Sequence, residues 1–144
     1  MPLEPSELLA AALAARERSY APYSQFRVGA ALVGADGRVF TGANVENASY
    51  GLSMCAERIA VYRALGEGVQ YFEAIAVAGP RGVRTMPCGA CRQVLHEFGA
   101  GMQVIFDDDG SLRVVLLSAL LPEPFSPGDL ESAHPGPEPS GGVR

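Results

Sequence analysis

Cys88 and Cys91 stand three residues apart in the stretch PCGACRQ, and Cys55, the one other cysteine, opens CAER. CxxC spacing in a helix puts both thiols on one side, and Pro87 predicts that they occupy the first turn. There the free N–H groups and the helix dipole favour thiolate. Cys55 takes the same kind of place at another helix start, so two helix beginnings that meet offer three thiolates to one cation. Zinc suits soft sulfur donors in a tetrahedral shell. Structural zinc sites are closed by four protein ligands, whereas catalytic ones leave the fourth position to water, so a set of three is informative. His96 and His134 are the only histidines. His96 lies more than a helical turn beyond Cys91, and His134 sits in a Pro/Gly-rich stretch, so neither makes a convincing fourth ligand. The competing reading is three small thiols packed as hydrophobes.

Glu57 weighs against that bland reading. Two residues past Cys55, it can lean over the ion without binding it and collect a proton from water that zinc has acidified. As an isolated residue it is simply a first-turn acid favoured by the helix dipole. Zinc with three thiolates carries a net charge of −1, which opposes hydroxide formation unless positive charge stands close. Arg58, on the same helix as Cys55, and Arg92, directly after Cys91, are the candidates to donate to a thiolate sulfur. The alternative is that they face solvent.

These residues need a scaffold that brings two helix starts together. Pro5 and Ser6 signal a first helix running to about Ser19, with Leu8, Leu9, Ala12 and Leu13 on one face. Residues 20–26, YAPYSQF, are a link. Val28 to Val33 and Val39 to Val45 flank Asp36-Gly37, a hairpin turn pair. A second helix runs from Cys55 until Gly66 stops it. YFEAIAVAG reads as a buried strand, PCGACRQVLHEFG as a third helix, and MQVIFDDDG as a strand ending in an acidic turn. LRVVLLSALLPEPF is a further strand or strand-to-helix passage, with a helical turn around Ser126 to Leu130. The order predicts an α/β fold, a three-layer α/β/α arrangement with a central mixed β-sheet. Residues 1–131 form one domain in this reading, and the Pro/Gly-rich stretch 132–144 is a disordered tail.

Composition narrows the partners. The chain has 144 residues and a net charge of −5, and its basic residues form no run. That disfavours nucleic acid, whose binding draws on phosphate neutralisation. No apolar run reaches the roughly 20 residues of a membrane span. The N-terminal segment lacks the basic region of a signal peptide. The expected location is the cytoplasm, where paired cysteines favour metal or catalysis over disulfides.

CAER and PCGACRQ, with YAPYSQFRVGAAL at 20–32 and GANVENASYG at 42–51, resemble the small zinc-dependent cytidine deaminases of pyrimidine salvage, over roughly residues 6–130. The resemblance implies a cytidine-deaminase-like fold and one zinc per subunit on Cys55, Cys88 and Cys91, with Glu57 as the proton shuttle. It implies hydrolytic deamination of cytidine and deoxycytidine to uridine and deoxyuridine, with release of ammonia. Asn44 and Glu46 would bind the ribose hydroxyls, Phe26 would pack against the nucleoside, and backbone groups near Ala56 and Cys88 would read the pyrimidine edge. Phe125 would enter a neighbouring subunit's site in a homotetramer. Read from the residues alone, Asn44 and Glu46 are better taken as a polar turn closing the hairpin. Phe26 is equally ordinary core, and Phe125 a cover for its own core. An aminonucleoside deaminase of the blasticidin S type and a non-catalytic zinc-stapled interaction module are the alternative readings. A polynucleotide cytosine editor is disfavoured by the acidic charge and by cysteine in place of a histidine ligand.

Overall fold

The structure, a computed structural model, describes residues 3–132. Helix α1 (Pro5–Ala15) opens on a reciprocal cap, in which the Glu7 carboxylate accepts the Glu4 N–H at 2.9 Å. Pro5 suits the first turn because its missing N–H would have no helical partner. The buried stripe is Leu8, Ala12 and Ala15. Leu13, expected on this face, is 42% exposed, because it lies about 100° round the helix from Ala12. The helix also ends before Ser19, tightening into a 3-10 turn at Arg16–Arg18.

Strands β1 (Gly29–Gly34) and β2 (Val39–Ala43) form the expected antiparallel hairpin. Its turn depends on Gly37, at φ +89°, and on the Asp36 carboxylate, which accepts the Arg38 N–H at 3.0 Å and its Nε–H at 2.8 Å. The chain continues through α2 (Ala56–Gly66), β3 (Phe72–Ala78), α3 (Gly89–Phe98), β4 (Gln103–Asp108), β5 (Ser111–Leu116), α4 (Leu117–Leu120) and α5 (Pro127–Ser132). The passage that allowed strand or strand-to-helix is the latter, β5 running directly into α4. Ser132 closes α5; the rest of the expected tail, with His134, lies outside the described residues.

The five strands lie in the order β2-β1-β3-β4-β5, with β3 and β4 parallel and every other pair antiparallel. This is the expected mixed sheet, and period-two alternation sorts its side chains. Ala30, Leu32, Ile75, Val77, Val104 and Phe106 pack with residues of α2 and α3. Ala31, Val33, Ala74, Ala76 and Ile105 pack with Leu8 and Ala12 of α1. Gly29 lets α1 lie close to this face: a Cβ there would stand 2.0 Å from the Ala12 carbonyl oxygen. Burying a side chain such as Leu8 or Phe106 contributes about 1.5–3 kcal/mol. Among the described residues, no helix is long and apolar enough to cross a membrane.

Candidate functional site

The start of α2 is set by its contact with β2. A Cβ at Gly42 would lie 2.4 Å from the Ala56 carbonyl oxygen and 2.7 Å from the Ala60 nitrogen, so only glycine allows the helix to sit this close. Upstream, Val45 and Met54 exchange N–H···O bonds of 3.0 and 2.8 Å, which fixes the backbone one residue before Cys55. Cys55 is then the extended cap residue of α2. Cys88 plays the same part for α3, with φ −67° and ψ 171°, and its sulfur accepts the Cys91 N–H at 3.5 Å. The expectation that Pro87 and Cys88 lie inside the first turn is therefore corrected. Cys88 stays outside the helix so that its side chain can turn back on a free N–H, as a serine cap does, and Pro87 precedes it.

The three sulfurs lie within 4.8 Å of one another. A tetrahedral shell of Zn–S bonds of about 2.3 Å spaces its sulfurs about 3.8 Å apart. The Cys55–Cys88 separation is 3.8 Å. The donor chemistry fits as well. Hydrogen bonding from Cys91 and Arg58 lowers the Cys55 thiol to about 5, against the effect of burial. The bond to Cys55, together with burial, pushes Cys91 up. A divalent cation bound by the three sulfurs would favour the thiolate form of each. Among the described residues no further cysteine, histidine, aspartate or glutamate joins this group.

Glu57 is only 4% exposed. Burial pushes its carboxyl up to about 7, the Cys55 charge adding to the effect and the helix N–H bond and Arg58 opposing it. It is thereby poised to gain or lose a proton near neutrality. Arg58 Nη2 donates to Cys55 Sγ at 3.5 Å. Its Nε is buried without a partner among the described residues. The two arginines, paired in the sequence reading, part company here. Arg92 Nε donates to the Pro87 carbonyl and Nη1 to the Leu120 carbonyl, both at 2.8 Å. Its long side chain runs back along the helix to orphan backbone acceptors instead of to sulfur.

Beside the thiols opens a cleft of about 280 Å³, whose walls include Phe26, Asn44, Glu46, Ala56, Glu57 and Cys88. Phe26, at 41% exposed, is not core. Asn44 and Glu46 follow β2 and hold the preceding loop. Asn44 Oδ1 accepts from the Ser19 hydroxyl and, at 2.9 Å, from the Val28 N–H, while Nδ2 donates to the Phe26 carbonyl at 2.8 Å. One N–H of the Asn44 amide is left over. The Glu46 carboxylate accepts from the Ser24 hydroxyl and from the N–H groups of Tyr23 and Ser24 at 3.0 and 3.1 Å. The Ser24 hydroxyl and these N–H groups hold the Glu46 carboxyl below its ordinary range. Phe125 does not line this cleft; it is 57% exposed. A larger cleft of about 380 Å³, between α1 and the loop after β3, contains Arg16, Arg81 and Asp107 but no thiol.

Ser24, Ser53, Met54, Thr85 and Met86 also line the thiol cleft, and the sequence reading did not single them out. They lie on non-periodic loops; the one available signal was that Met54 and Thr85-Met86 immediately precede the two cysteine motifs.

Comparison with known proteins follows the same lines. Residues 4–107 match the family described as the cytidine and deoxycytidylate deaminase zinc-binding region. A protein of Sporosarcina psychrophila named cytidine deaminase is 41% identical, over 91% of this chain and 98% of its own. Another so named, from Halalkalibacterium halodurans, is 46% identical over 85% and 95%. The crystal structure of cytidine deaminase from Burkholderia pseudomallei is similar with a TM-score of 0.81 and 51% identity, covering 85% of this chain and 100% of that one. The chain belongs to the cytidine and deoxycytidylate deaminase zinc-binding family. The ion of that family is zinc, and Cys55, Cys88 and Cys91 are positioned to hold it.

Proposed function

We propose that this chain is an enzyme of nucleoside salvage, a cytidine deaminase that hydrolyses cytidine and deoxycytidine to uridine and deoxyuridine with release of ammonia. The observation that carries the reading is the group of three thiols within 4.8 Å of one another, with the buried Glu57 carboxyl in the wall of the same cleft. Zinc held by Cys55, Cys88 and Cys91 would supply the Lewis acidity that brings the pKa of water near neutral.

The rest is the work of the chain. Glu57 takes a proton from the attacking water and delivers it to N3 of the cytosine ring, which makes C4 electrophilic. As oxygen adds at C4, the Arg58 guanidinium on Cys55 drains charge from the sulfur cluster. Glu57 then relays a second proton to the amino group, and the C4–N bond breaks to release ammonia. Atoms balance as one nucleoside and one water giving the deaminated nucleoside and one ammonia. Glu46 has lone pairs left to accept from a ribose hydroxyl, and Asn44 one N–H left to donate. Phe26 packs against the base or sugar, and the backbone at Ala56 and Cys88 meets the pyrimidine edge.

Phe125, exposed and outside its own cleft, reaches into the cleft of a neighbouring copy, and the active form is a homotetramer with one zinc per subunit. The exposure of Phe125 supports this. The protein works in the cytoplasm, where three free thiols stay reduced.

The test is Glu57→Gln, followed by loss of the cytidine absorbance band. The variant retains zinc and binds the nucleoside, while turnover falls by about 10²–10⁴-fold, the range for a lost general acid–base group. Turnover within a few-fold of wild type overturns the assignment.

A further inference from the structure

The first turn of α3 carries a cation, Arg92, where the helix dipole disfavours one. Among the described residues its guanidinium meets no carboxylate. It donates instead to two backbone carbonyls, each at 2.8 Å: Pro87, directly before Cys88, and Leu120, the last residue of α4. The next residue, Gln93, donates from Nε2 to the Phe125 carbonyl at 2.7 Å. Between Leu120 and Phe125 the chain reads Leu121-Pro122-Glu123-Pro124. Its two prolines have no N–H to give, and Glu123 sits at φ +48°, a left-handed conformation that non-glycine residues seldom adopt. Leu121 still donates its N–H to the Leu117 carbonyl of α4 at 3.0 Å, so α4 holds the near end of the segment, Arg92 ties that end of α4 to α3, and Gln93 grips the far end at Phe125.

We propose that Arg92 and Gln93 are positioning residues that fasten segment 121–125 to the metal-binding loop, so that retention of the ion by Cys88 and presentation of Phe125 are coupled. This rests on the reading of Cys88 as a zinc ligand and of Phe125 as reaching a neighbour's cleft. Only arginine offers two N–H groups in a rigid planar fork able to span the Pro87 and Leu120 carbonyls at once; lysine at this place reaches one of them. Loss of the Pro87 bond frees the backbone at Cys88. Loss of the Gln93 bond frees the Phe125 end of the segment without touching the thiols.

The experiment uses the zinc-loaded full-length protein and two readouts: the rate of zinc transfer to a chromophoric chelator, and kcat and KM for cytidine. Arg92→Lys is expected to release zinc about tenfold faster, at the lower end of the effect of groups that orient metal ligands, and to raise KM several-fold with kcat within about threefold. Arg92→Gln, which keeps a single donor group, serves as the second variant should lysine impair folding, with the same expectation. Gln93→Ala is expected to raise KM and leave zinc release at the wild-type rate. Adding it to Phe125→Ala is expected to raise KM no further. Wild-type zinc release in both Arg92 variants overturns the role of Arg92 at the metal loop. Additive KM effects of Gln93→Ala and Phe125→Ala overturn the role of Gln93. Phe125→Ala with wild-type KM overturns instead the cross-subunit reading of Phe125 and the half of the proposal built on it, while zinc release judges the other half independently.

Discussion

Glu57, Arg58 and Asn44 each sit in a bond or an environment that can be removed singly. Arg58 stands on Cys55 through Nη2, while its buried Nε has no partner among the described residues. Arg58→Gln is expected to keep zinc in the purified protein and to lower kcat by about tenfold, within the range for groups that tune a metal ligand; metal analysis beside steady-state kinetics checks it. Asn44 accepts from Ser19 and Val28 and donates to Phe26. In Asn44→Ala the Ser19 and Val28 donors lose their acceptor, at about 1–3 kcal/mol for each group left unsatisfied. A lowered thermal midpoint together with a raised KM is the expected outcome, since Phe26 loses its tether in the same step. The cysteines and Glu57 were legible in the sequence because metal chemistry restricts both residue type and spacing. Arg92 was legible as a cation close to Cys91 but not by its target, because a side chain that long can reach backbone acceptors on either side of its helix.

At the scale of elements, the strands and helices follow from periodicity. Alternation of Leu32 with Ala31 and Val33, and of Val104 and Phe106 with Ile105, assigns each strand face to its helix layer. Leu13 was misassigned because its immediate neighbour Ala12, one position off in phase, is the buried one. Cys88 was placed inside the helix because a thiol that caps has no sequence signature distinct from one that follows the cap. The 20–28 loop had no period to read; its shape comes from Asn44 and Glu46, about twenty residues away. The dependence of the site on close packing at Gly42 is directly testable. Gly42→Ala forces α2 away from β2 and moves Cys55 and Glu57 with it, at about 1–3 kcal/mol for overpacking. A lower denaturant midpoint and a fall in bound zinc are expected. Gly66→Ala, at the far end of the same helix and with nothing within 4 Å of the added Cβ, is expected to leave zinc content unchanged.

For the whole molecule, the single chain leaves large apolar groups on its surface. Tyr50, Leu52 and Phe125 are among the most exposed large apolar side chains described. In the proposed homotetramer these are covered, and sedimentation is expected to give a species of four 15.1 kDa chains. Specific activity is expected to fall on dilution in step with dissociation; a fully active single chain would contradict the cross-subunit role of Phe125.

The central claim is that a zinc ion held by Cys55, Cys88 and Cys91, with solvent in its remaining position, makes Glu57 a working acid and base. Its most direct measurement follows zinc content and the rate of cytidine absorbance loss together during chelation and after zinc is returned. The two quantities are predicted to fall in proportion and to recover in proportion, to one ion per chain at full activity. Full turnover by metal-free protein would contradict the account.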